Sequence, residues 1–565
     1  MKVVDLVTEY LEYLGVNVVF VVTGGAALHL IHSFARNKNF TILPMQHEQS
    51  GAMAADSYAR VNGGIGVSVA TSGPGATNLL TGVCCSYYDG IPTLLLTGQV
   101  DSDKLKTKSN SRQIGFQETN VVDIFKPITK YAKLISKPQE ILFEFEKAIF
   151  ESLSGRPGPV LLDICSDIQR TEINPSQLTR YFMGSKLNND VLDLGVKSDQ
   201  ISKLIEMVKV AKRPLIIVGS GIKQSSQEIK MLEFIESLGI PYTTSWGMAD
   251  LIHQDHELFA GLFGTYPGGS CNAAILETDL IMVFGARLDK KTIGNNSQSF
   301  APNAKKIIID IDSSEIEKFS LQGMYVDLPI NSSLKLFFEK FFSEANQSIE
   351  LSIQDWRLRI KQLKLEYPIL KDSDVAQDIK VNPYYFMKLL SQSINKKTVV
   401  IPDCGSNLVW TMQGLLVTNN ISQVISAWNH SPMGYALPAS IGASFDQNSR
   451  DIICITGDGG LQMNIQELAT VQRHHLPIKI FVMNNHGHGI IQQGQDQYFD
   501  KIHVATNFDG GLPDPDYSEI AKAYGIPSVT ISSNKDLKLF LPNFLERSGP
   551  NLCVLDLKEG QQIHN

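Results

Sequence analysis

The sequence predicts an α/β protein with three domains, each built on a doubly wound parallel sheet. Its apolar runs, such as VNVVFVV, TVVIP and IKIFVM, are continuous rather than alternating, which is typical of parallel strands covered on both faces. These runs alternate with amphipathic stretches, which indicates repeated strand-helix-strand units. The chain has 565 residues, of which 43% are hydrophobic and 19% charged, enough apolar material for several cores.

The composition excludes several classes of function. The net charge is −8, without long charge runs, so the chain lacks the clustered Lys and Arg that nucleic-acid binding requires. No apolar run approaches the roughly 20 residues of a membrane span. Asp5, Glu9 and Glu12 interrupt the N-terminal apolar stretch, unlike in a signal peptide. Seven cysteines without a C-x-x-C pair predict reduced, buried thiols in a cytoplasmic protein.

Two linkers divide the chain. The predicted domains cover residues 1–175, 198–342 and 382–565. The first linker is polar and lacks periodicity, and the second, over roughly 343–381, has helical character. Parallel sheets bind ligands at the carboxyl ends of their strands, so strand ends are the first places to search for a site.

Polar residues after two strands of the third domain predict a site for a metal and phosphates. The strand ICIT ends in Gly457, Asp458, Gly459 and Gly460, and the next strand, IKIFVM, ends before Asn485. The strands of such a unit are parallel, so their carboxyl ends lie on one edge. Carboxylate and amide oxygens suit Mg²⁺, and the glycines with the following helix N-terminus suit phosphates. A Gly-rich turn alone is weak evidence, and the pair of motifs is specific.

Further motifs support a cofactor site. Glu48 lies in QHEQSGA, between a short strand and a helix, where a carboxyl group can act as an acid or base. A Glu at a helix N-terminus is also explained by the helix dipole, so the assignment depends on the distant motifs. The other segments are SGPGATN at 72–78, DCGSN at 403–407 and PMGY at 432–435.

These motifs together resemble the thiamine-diphosphate-dependent enzymes. The stretch GDGGLQMNIQELATVQRHHLPIKIFVMNN resembles the large catalytic subunit of acetolactate synthase. The resemblance implies an aminopyrimidine-binding first domain, a central FAD- or nucleotide-type domain and a diphosphate-binding third domain. It also implies that Asp458, Asn485 and the backbone carbonyl of Gly487 bind Mg²⁺, and that Glu48 hydrogen-bonds the aminopyrimidine of thiamine diphosphate.

The resemblance also implies roles for the remaining residues of the cofactor site. Phe116 and Gln117, in GFQET, are retained at the catalytic site, and Met433 matches the apolar residue that supports the bent cofactor. In this family the two outer domains meet across a subunit interface, which implies a homodimer or homotetramer. The implied thiamine diphosphate contacts are Gly24, Gly25, Pro74, Asn78, Gly405, Ser406, Met433, Gly457, Gly459 and Gly460.

The second domain is expected to bind FAD without a redox role. A lone G-x-G, here at Gly219 and Gly221, is weak evidence by itself. The alternative is a vestigial nucleotide domain that holds ADP or nothing. The positions that match FAD contacts of the family are Arg156, Gly219, Gly221, Thr244, Arg287 and Asp310.

The acceptor side departs from the family pattern. Gly494 stands where the family has Trp, Ser166 where it has Lys, and Lys291 where it has Arg. Loss of a Trp removes roughly 150–250 Å² of contact surface, and loss of cations weakens a carboxylate clamp. The sequence therefore predicts a carboligase that transfers an acetyl equivalent from pyruvate to a carbonyl acceptor, for example a bulky ketone such as a nucleotide-linked keto sugar. The alternatives are an acetolactate synthase using two pyruvates, a flavin-linked pyruvate oxidase, and a non-catalytic cofactor-binding homologue.

Overall fold

The computed structural model describes residues 1–106, 110–181, 195–251, 256–266, 268–345, 349–376, 379–417 and 420–564. Within these ranges the chain forms three six-stranded sheets in which neighbouring strands are parallel. In each sheet the strand order reverses direction once, as in a doubly wound fold. The predicted fold class is confirmed.

The first sheet has the order β2-β1-β3-β4-β6-β5. Its strands are β1 (Val18–Val21), β2 (Thr41–Pro44), β3 (Gly66–Ala70), β4 (Thr93–Gln99), β5 (Tyr131–Ile135) and β6 (Val160–Cys165). Its helices are α1 (Val3–Tyr13), α2 (Leu28–Arg36), α3 (Glu48–Asn62), α4 (Pro74–Asn78), α5 (Leu80–Asp89), α6 (Val121–Phe125), α7 (Ile141–Leu153) and α8 (Ser166–Gln169). The central strands β1, β3, β4 and β6 are buried along their whole length, which explains their continuous apolar sequence.

The second sheet has the order β12-β11-β10-β7-β8-β9. Its strands are β7 (Pro214–Val218), β8 (Tyr242–Ser245), β9 (Phe259–Phe263), β10 (Leu280–Phe284), β11 (Lys305–Asp310) and β12 (Leu328–Asn331). The helices that surround it are α9 (Ser198–Val210), α10 (Gly221–Gln224), α11 (Glu228–Leu238), α12 (Gly269–Glu277), α13 (Lys290–Ile293), α14 (Ser313–Leu321) and α15 (Leu334–Glu344). The linker expected to be helical contains α16 (Gln354–Glu366) and α17 (Asp372–Ala376).

The third sheet has the order β14-β13-β15-β16-β18-β17. Its strands are β13 (Thr398–Pro402), β14 (Ile421–Val424), β15 (Asp451–Gly457), β16 (Ile478–Asn484), β17 (Ser528–Ile531) and β18 (Asn551–Asp556). Its helices are α18 (Pro383–Ser393), α19 (Ser406–Gly414), α20 (Ala436–Ala443), α21 (Asp458–Met463), α22 (Leu468–Arg473), α23 (Gly489–Tyr498), α24 (Tyr517–Ala523) and α25 (Asn534–Leu545).

The first and third domains pack together through α3 and α20, two helices rich in small residues. A β-carbon added to Gly442 of α20 would lie 2.1 Å from the carbonyl oxygen of Ala54 in α3, so this close approach requires glycine. Side chains from both helices belong to one apolar core that includes Met53, Tyr58 and Tyr435. The helix that begins at Glu48 is therefore held firmly against the third domain of the same chain.

Two further expectations concern the state of the cysteines and the presence of membrane-spanning helices. All seven cysteines are free; five are buried, as expected, and Cys84 and Cys404 are half-buried. No helix in the described part of the chain is long and apolar enough to cross a membrane.

Asp163 provides a test of how buried charge affects the fold. Its carboxylate lies on β6, accepts hydrogen bonds from Thr97 Oγ1 (2.7 Å) and Gln99 Nε2 (2.8 Å), and is 1% exposed. Burial raises the pKa of Asp163 to about 7. An unfolded Asp titrates near 4, so the folded state binds the proton more tightly and stability falls as pH rises from about 4 to about 7.

Asp163→Asn cannot ionise, and we expect it to lose less stability than the wild type between pH 5.5 and pH 8, by on the order of 1–3 kcal/mol. Thermal unfolding midpoints at the two pH values measure this difference. The exposed Asp199→Asn is the control and is expected to behave as the wild type. Parallel curves for wild type and Asp163→Asn would contradict the prediction.

Candidate active site

Glu48 lies at the carboxyl edge of the first sheet. It begins α3, after the N-cap residue His47, whose Nδ1 accepts a hydrogen bond from the Gln49 amide at 3.1 Å. The Glu48 side chain is largely buried, and its Oε2 accepts a hydrogen bond from Asn78 Nδ2 at 2.8 Å. The structure therefore brings together two residues predicted from separate motifs, and Asn78 orients the carboxylate.

The glycine loops around Glu48 come from three other segments. A β-carbon on Gly24 would overlap the Thr71 side chain at 2.4 Å, so Gly24 packs against the loop that leads to Pro74, whereas Gly25 has free space. A β-carbon on Gly75 would lie 3.2 Å from Glu48 Oε1. The backbone carbonyl oxygen of Gln117 lies within 2.8 Å of the equivalent point on Gly73. The predicted first-domain residues thus border one cleft.

Phe116 differs from its neighbours in this cleft. Its side chain is 85% exposed, although it follows Gly115, which is buried against Val100. Gln117 adopts φ +62°, a left-handed conformation that is uncommon outside glycine and occurs often at functional sites. The segment therefore projects a large apolar side chain away from the first domain.

The predicted metal ligands lie where β15 and β16 end. These strands are parallel neighbours, with Gly457 paired to Met483. Asp458 Oδ1 accepts a hydrogen bond from the Gly459 amide and Oδ2 accepts one from the Gly487 amide, both at 2.7 Å. Burial raises the pKa of Asp458 to about 6, and the neighbouring His486 opposes this rise only in part. A divalent cation here would favour the ionised carboxylate.

Unpaired polar atoms surround this carboxylate. Asn485 Nδ2 and Ser406 Oγ are buried without a hydrogen-bond partner among the described residues, and so is Asn407 Oδ1. A β-carbon on Gly489 would lie 2.6 Å from Asn485 Nδ2 and 3.1 Å from Ser406 Oγ, so both groups line the same small space. Buried polar atoms without partners are rare in folded proteins. The carboxylate and amide oxygens here fit a hard cation such as Mg²⁺, and the unpartnered Asn485 Nδ2 and Ser406 Oγ fit phosphate oxygens as hydrogen-bond donors.

Gly405 lies at the start of α19 with φ +90°, a conformation that favours glycine. It precedes Ser406, so the first free amides of α19 face the same edge of the sheet as Asp458. Helix N-termini of this kind favour anions. Gly405, Ser406, Gly457, Gly459 and Gly460 therefore lie close to the predicted metal ligands.

Asp403 is a site residue whose role was not predicted. Its buried carboxylate accepts hydrogen bonds from the amides of Cys404 (2.8 Å) and Gly434 (3.0 Å) and from Thr456 Oγ1 (3.0 Å). Burial raises its pKa to about 6. The Asp403 carboxylate thus connects the loop 403–407, the Met433 segment and the end of β15. The signal in the sequence was an Asp directly after the buried strand TVVIP.

Two histidines also lie at this site and were not predicted. A β-carbon on Gly459 would lie 2.7 Å from His488 Nε2 and 3.0 Å from the methyl group of Met433, so both side chains border the G-D-G-G turn. Burial lowers the pKa of His488. His486 hydrogen-bonds Asp514 at 2.7 Å and Asp556 at 3.0 Å, which holds the backbone between Asn485 and Gly487. The segment NNHGHG was the available signal. His474 and His475 are exposed.

A cavity of about 650 Å³ lies between the three domains, within the range of small-molecule and cofactor sites. Four of the predicted FAD contacts line it, namely Arg156, Gly221, Arg287 and Asp310, and Gly219 and Thr244 adjoin lining residues. Arg156 pairs with Glu315 at 3.1 Å, and burial raises the pKa of Asp310 to about 6. Arg287 Nε and Thr244 Oγ1 are buried without hydrogen-bond partners among the described residues, and Arg287 Nε lies 3.9 Å from Glu315 Oε1. These groups fit a polar nucleotide ligand.

The three predicted acceptor residues lie in different domains. Ser166 begins α8 at the carboxyl end of β6. Lys291 lies in α13. Burial raises the pKa of the Cys404 thiol to about 12, and the positive charge of Lys291 opposes this rise. Gly494 lies in α23, and a β-carbon added there meets no atom within 4 Å. In this chain Lys291 lies near Cys404 of the third domain, and Ser166 lies in the first domain.

Comparison with known proteins identifies the class. Three sequence models match: "Thiamine pyrophosphate enzyme, N-terminal TPP binding domain" over residues 1–124, its "central domain" over 201–341 and its "C-terminal TPP binding domain" over 403–555. Thiamine pyrophosphate is another name for thiamine diphosphate, so the protein is a thiamine-diphosphate-dependent enzyme.

The relatives are more specific. The chain is 32% identical to the acetolactate synthase large subunit of Cyanidium caldarium, over 96% of this chain and 91% of that protein. It is 32% identical to the probable acetolactate synthase large subunit of Methanococcus aeolicus, over 98% and 91%. It is 30% identical to the chloroplastic acetolactate synthase of Arabidopsis thaliana, over 98% and 80%. The chain belongs to the family of acetolactate synthase large subunits.

Asp458→Asn tests the metal site. The substitution places an amide N–H₂ group beside the amides of Gly459 and Gly487 and removes the negative charge. We expect the Mg²⁺-dependent affinity for thiamine diphosphate to fall on the order of 100-fold. Calorimetric titration with and without Mg²⁺ measures this. Asp451→Asn, at the exposed opposite end of β15, is the matched control and is expected to bind normally. Equal affinities for both variants would contradict the assignment.

Proposed function

We propose that this protein is a carboligase that transfers an acetyl equivalent from pyruvate to a carbonyl acceptor larger than a second pyruvate. The observation that carries the proposal is the open space that a side chain at Gly494 would meet, on the helix that follows the predicted metal ligands Asn485 and Gly487. Glu48, Asp458 and Asn485, the residues that the family chemistry requires, are all present and buried. Their presence argues against a non-catalytic homologue.

Asp458, Asn485 and the carbonyl of Gly487 would hold Mg²⁺, and the glycine turn with Ser406 would hold the diphosphate. Thiamine diphosphate, when bound, supplies an electron sink for the pair released by decarboxylation of a 2-oxo acid. Buried Asp403 fixes the Met433 segment in place relative to the glycine turn after β15. The chain thus provides position and electrostatics, and the cofactor provides the chemistry.

Glu48 would hold a proton at its carboxyl group against the aminopyrimidine nitrogen. Asn78 donates to Oε2 at 2.8 Å, which leaves Oε1 free to face the cofactor. A carboxyl group at hydrogen-bond distance in a poorly solvated cleft is suited to such transfer. Gln117 and Phe116 border the same cleft and would meet the donor or acceptor.

The active site is proposed to form between two chains of a homodimer, or of a homotetramer built from such dimers. Within the described ranges no hydrogen bond or ion pair connects Glu48 with Asp458 or Asn485. Phe116 is 85% exposed. Phe499, at the end of α23, is 63% exposed, and Phe508, next to the Asn507 that pairs with Gly487, is 73% exposed. Exposed apolar groups beside two half-sites favour association of two copies.

The proposal is tested by incubating the protein with thiamine diphosphate, Mg²⁺ and pyruvate and following products by NMR. We expect slow pyruvate loss with little 2-acetolactate, and faster loss after addition of bulky ketones or keto sugars. Rapid 2-acetolactate formation from pyruvate alone would favour the second candidate, an acetolactate synthase, which the names of the relatives support. Absence of cofactor-dependent pyruvate loss would contradict both.

Glu48→Gln is expected to abolish turnover and to bind thiamine diphosphate almost normally, because the amide keeps the shape and loses the acid. Asp458→Asn is expected to fail in binding. Co-expression of the two variants with different tags, and purification on both tags, yields mixed dimers in which one of the two sites has both intact residues, so up to about half of the wild-type rate returns. No recovery in purified mixed dimers would place both residues in a site made by one chain.

Gly494→Trp tests the acceptor. Because no atom lies within 4 Å of the added β-carbon, the variant is expected to fold. The indole would occupy the proposed acceptor space, so we expect a shift toward pyruvate as acceptor and about a tenfold or greater loss with bulky ketones. Gly494→Ala, which fills little of this space, is the control. Unchanged product ratios in Gly494→Trp would show that the acceptor binds elsewhere.

FAD binding in the central cavity is part of the proposal. The cavity volume, the predicted contacts and the buried Arg287 Nε, which makes no hydrogen bond among the described residues, support it. Flavin absorption released on denaturing the purified protein would support FAD, and bleaching by pyruvate would instead indicate an oxidase. A reducing, cytoplasmic location is proposed from the free cysteines.

A further inference from the structure

The segment Met433–Tyr435 is held from both sides by buried hydrogen bonds. On one side the Asp403 carboxylate accepts from the amides of Gly434 (3.0 Å) and Tyr435 (3.3 Å). On the other side Asn464 Nδ2 donates to the carbonyl oxygen of Gly434 at 2.7 Å. Helix α20 begins at Ala436, and its N-cap residue Tyr435 accepts a hydrogen bond from the Ala439 amide at 3.0 Å, so Met433 and Gly434 lie before the helix.

Helix α3 of the first domain is connected to the same segment at two points. Ser50 Oγ donates to Asn464 Oδ1 at 3.1 Å. The Tyr435 hydroxyl donates to Asp56 Oδ1 at 2.5 Å, and both side chains are fully buried. Glu48 lies at the N-terminus of this helix, two residues before Ser50 and two turns before Asp56.

Asp56 belongs to a buried group of charges. Arg60 donates to Asp56 at 2.7 Å and to Asp89 at 2.7 Å, and Ser86 Oγ donates to Asp56 at 2.9 Å. Asp89 also accepts from the amide of Trp428 at 2.9 Å. The two carboxylates and one guanidinium therefore hold both ends of the stretch that contains Met433, at Trp428 and at Tyr435.

We propose that Tyr435 is a positioning residue, and that its hydroxyl bond to Asp56 fixes the backbone next to Met433 against helix α3 of the same chain. The inference rests on the proposed function, in which Met433 supports the bent cofactor. A methionine side chain has three rotatable bonds and little shape of its own, so its backbone has to be held in place. Gly434, with φ +88°, adds no stiffness.

Tyr435→Phe tests this because it removes one oxygen atom and preserves the ring. The measured quantity is the rate of exchange of the C2 hydrogen of bound thiamine diphosphate for deuterium, by NMR after acid quench. A misplacement of about 1 Å changes reaction rates by up to about 100-fold, so we expect the exchange rate and kcat to fall about tenfold. The KM for pyruvate and the cofactor Kd are expected to change less than about threefold.

Tyr58→Phe is the matched control. Tyr58 lies on the same helix, is 2% exposed and donates to Asn17 Oδ1 at 2.7 Å within the first domain. We expect a similar loss of thermal stability and a wild-type exchange rate. Wild-type exchange in Tyr435→Phe, with a stability loss equal to that of Tyr58→Phe, would overturn the inference and leave the proposed function intact.

Ser50→Ala removes the second connection and provides an independent test if Tyr435→Phe fails to fold. It is expected to slow exchange about threefold, since one of two connections is lost. Wild-type exchange in Ser50→Ala would then overturn the inference. Failure of the wild-type protein itself to catalyse cofactor-dependent exchange would instead contradict the proposed function.

Discussion

The parallel pairing of β13, β15 and β16 determines where chemistry can occur in this protein. Because neighbouring strands run in the same direction, Asp403, Asp458 and Asn485 emerge together at one edge of the sheet, although they are far apart in the chain. An antiparallel neighbour would send its terminal residue to the opposite edge. The hydrogen bond from the Gly487 amide to Asp458 is a direct product of this register.

Electrostatics at this edge is unusual because the carboxylates are paired with amides rather than with cations. Asp403 and Asp458 accept backbone N–H groups, and burial raises the pKa of each to about 6. Backbone amides stabilise an anion by hydrogen bonding but carry no net positive charge. A negative charge beside Asn485 and the glycine turn therefore stays unbalanced. A divalent cation would balance that charge, and phosphates bound to the cation would lie near the N-terminus of α19.

Much of this arrangement could be predicted from the sequence. The continuous strands indicated parallel sheets, and G-D-G with N-N indicated the neighbouring strand ends, because local patterns determine both. Residues whose position depends on long-range packing were missed. His488 is recognisable only once Gly459 is known to face it, and the bond from Tyr435 to Asp56 joins helices from two domains. The acceptor residues remain predictions, because Ser166, Lys291 and Gly494 lie in three different domains and no contact among the described residues brings them together.

The cavity between the three domains has a consequence for the amount of this protein in a cell. Any ligand that binds it only in the folded state adds stability by mass action, about 2.7 kcal/mol at a hundred times its Kd. The residues around it come from all three domains, so loss of the ligand loosens the whole chain rather than one part. The supply of that ligand would then set how much of the protein is unfolded, and so how fast proteases degrade it.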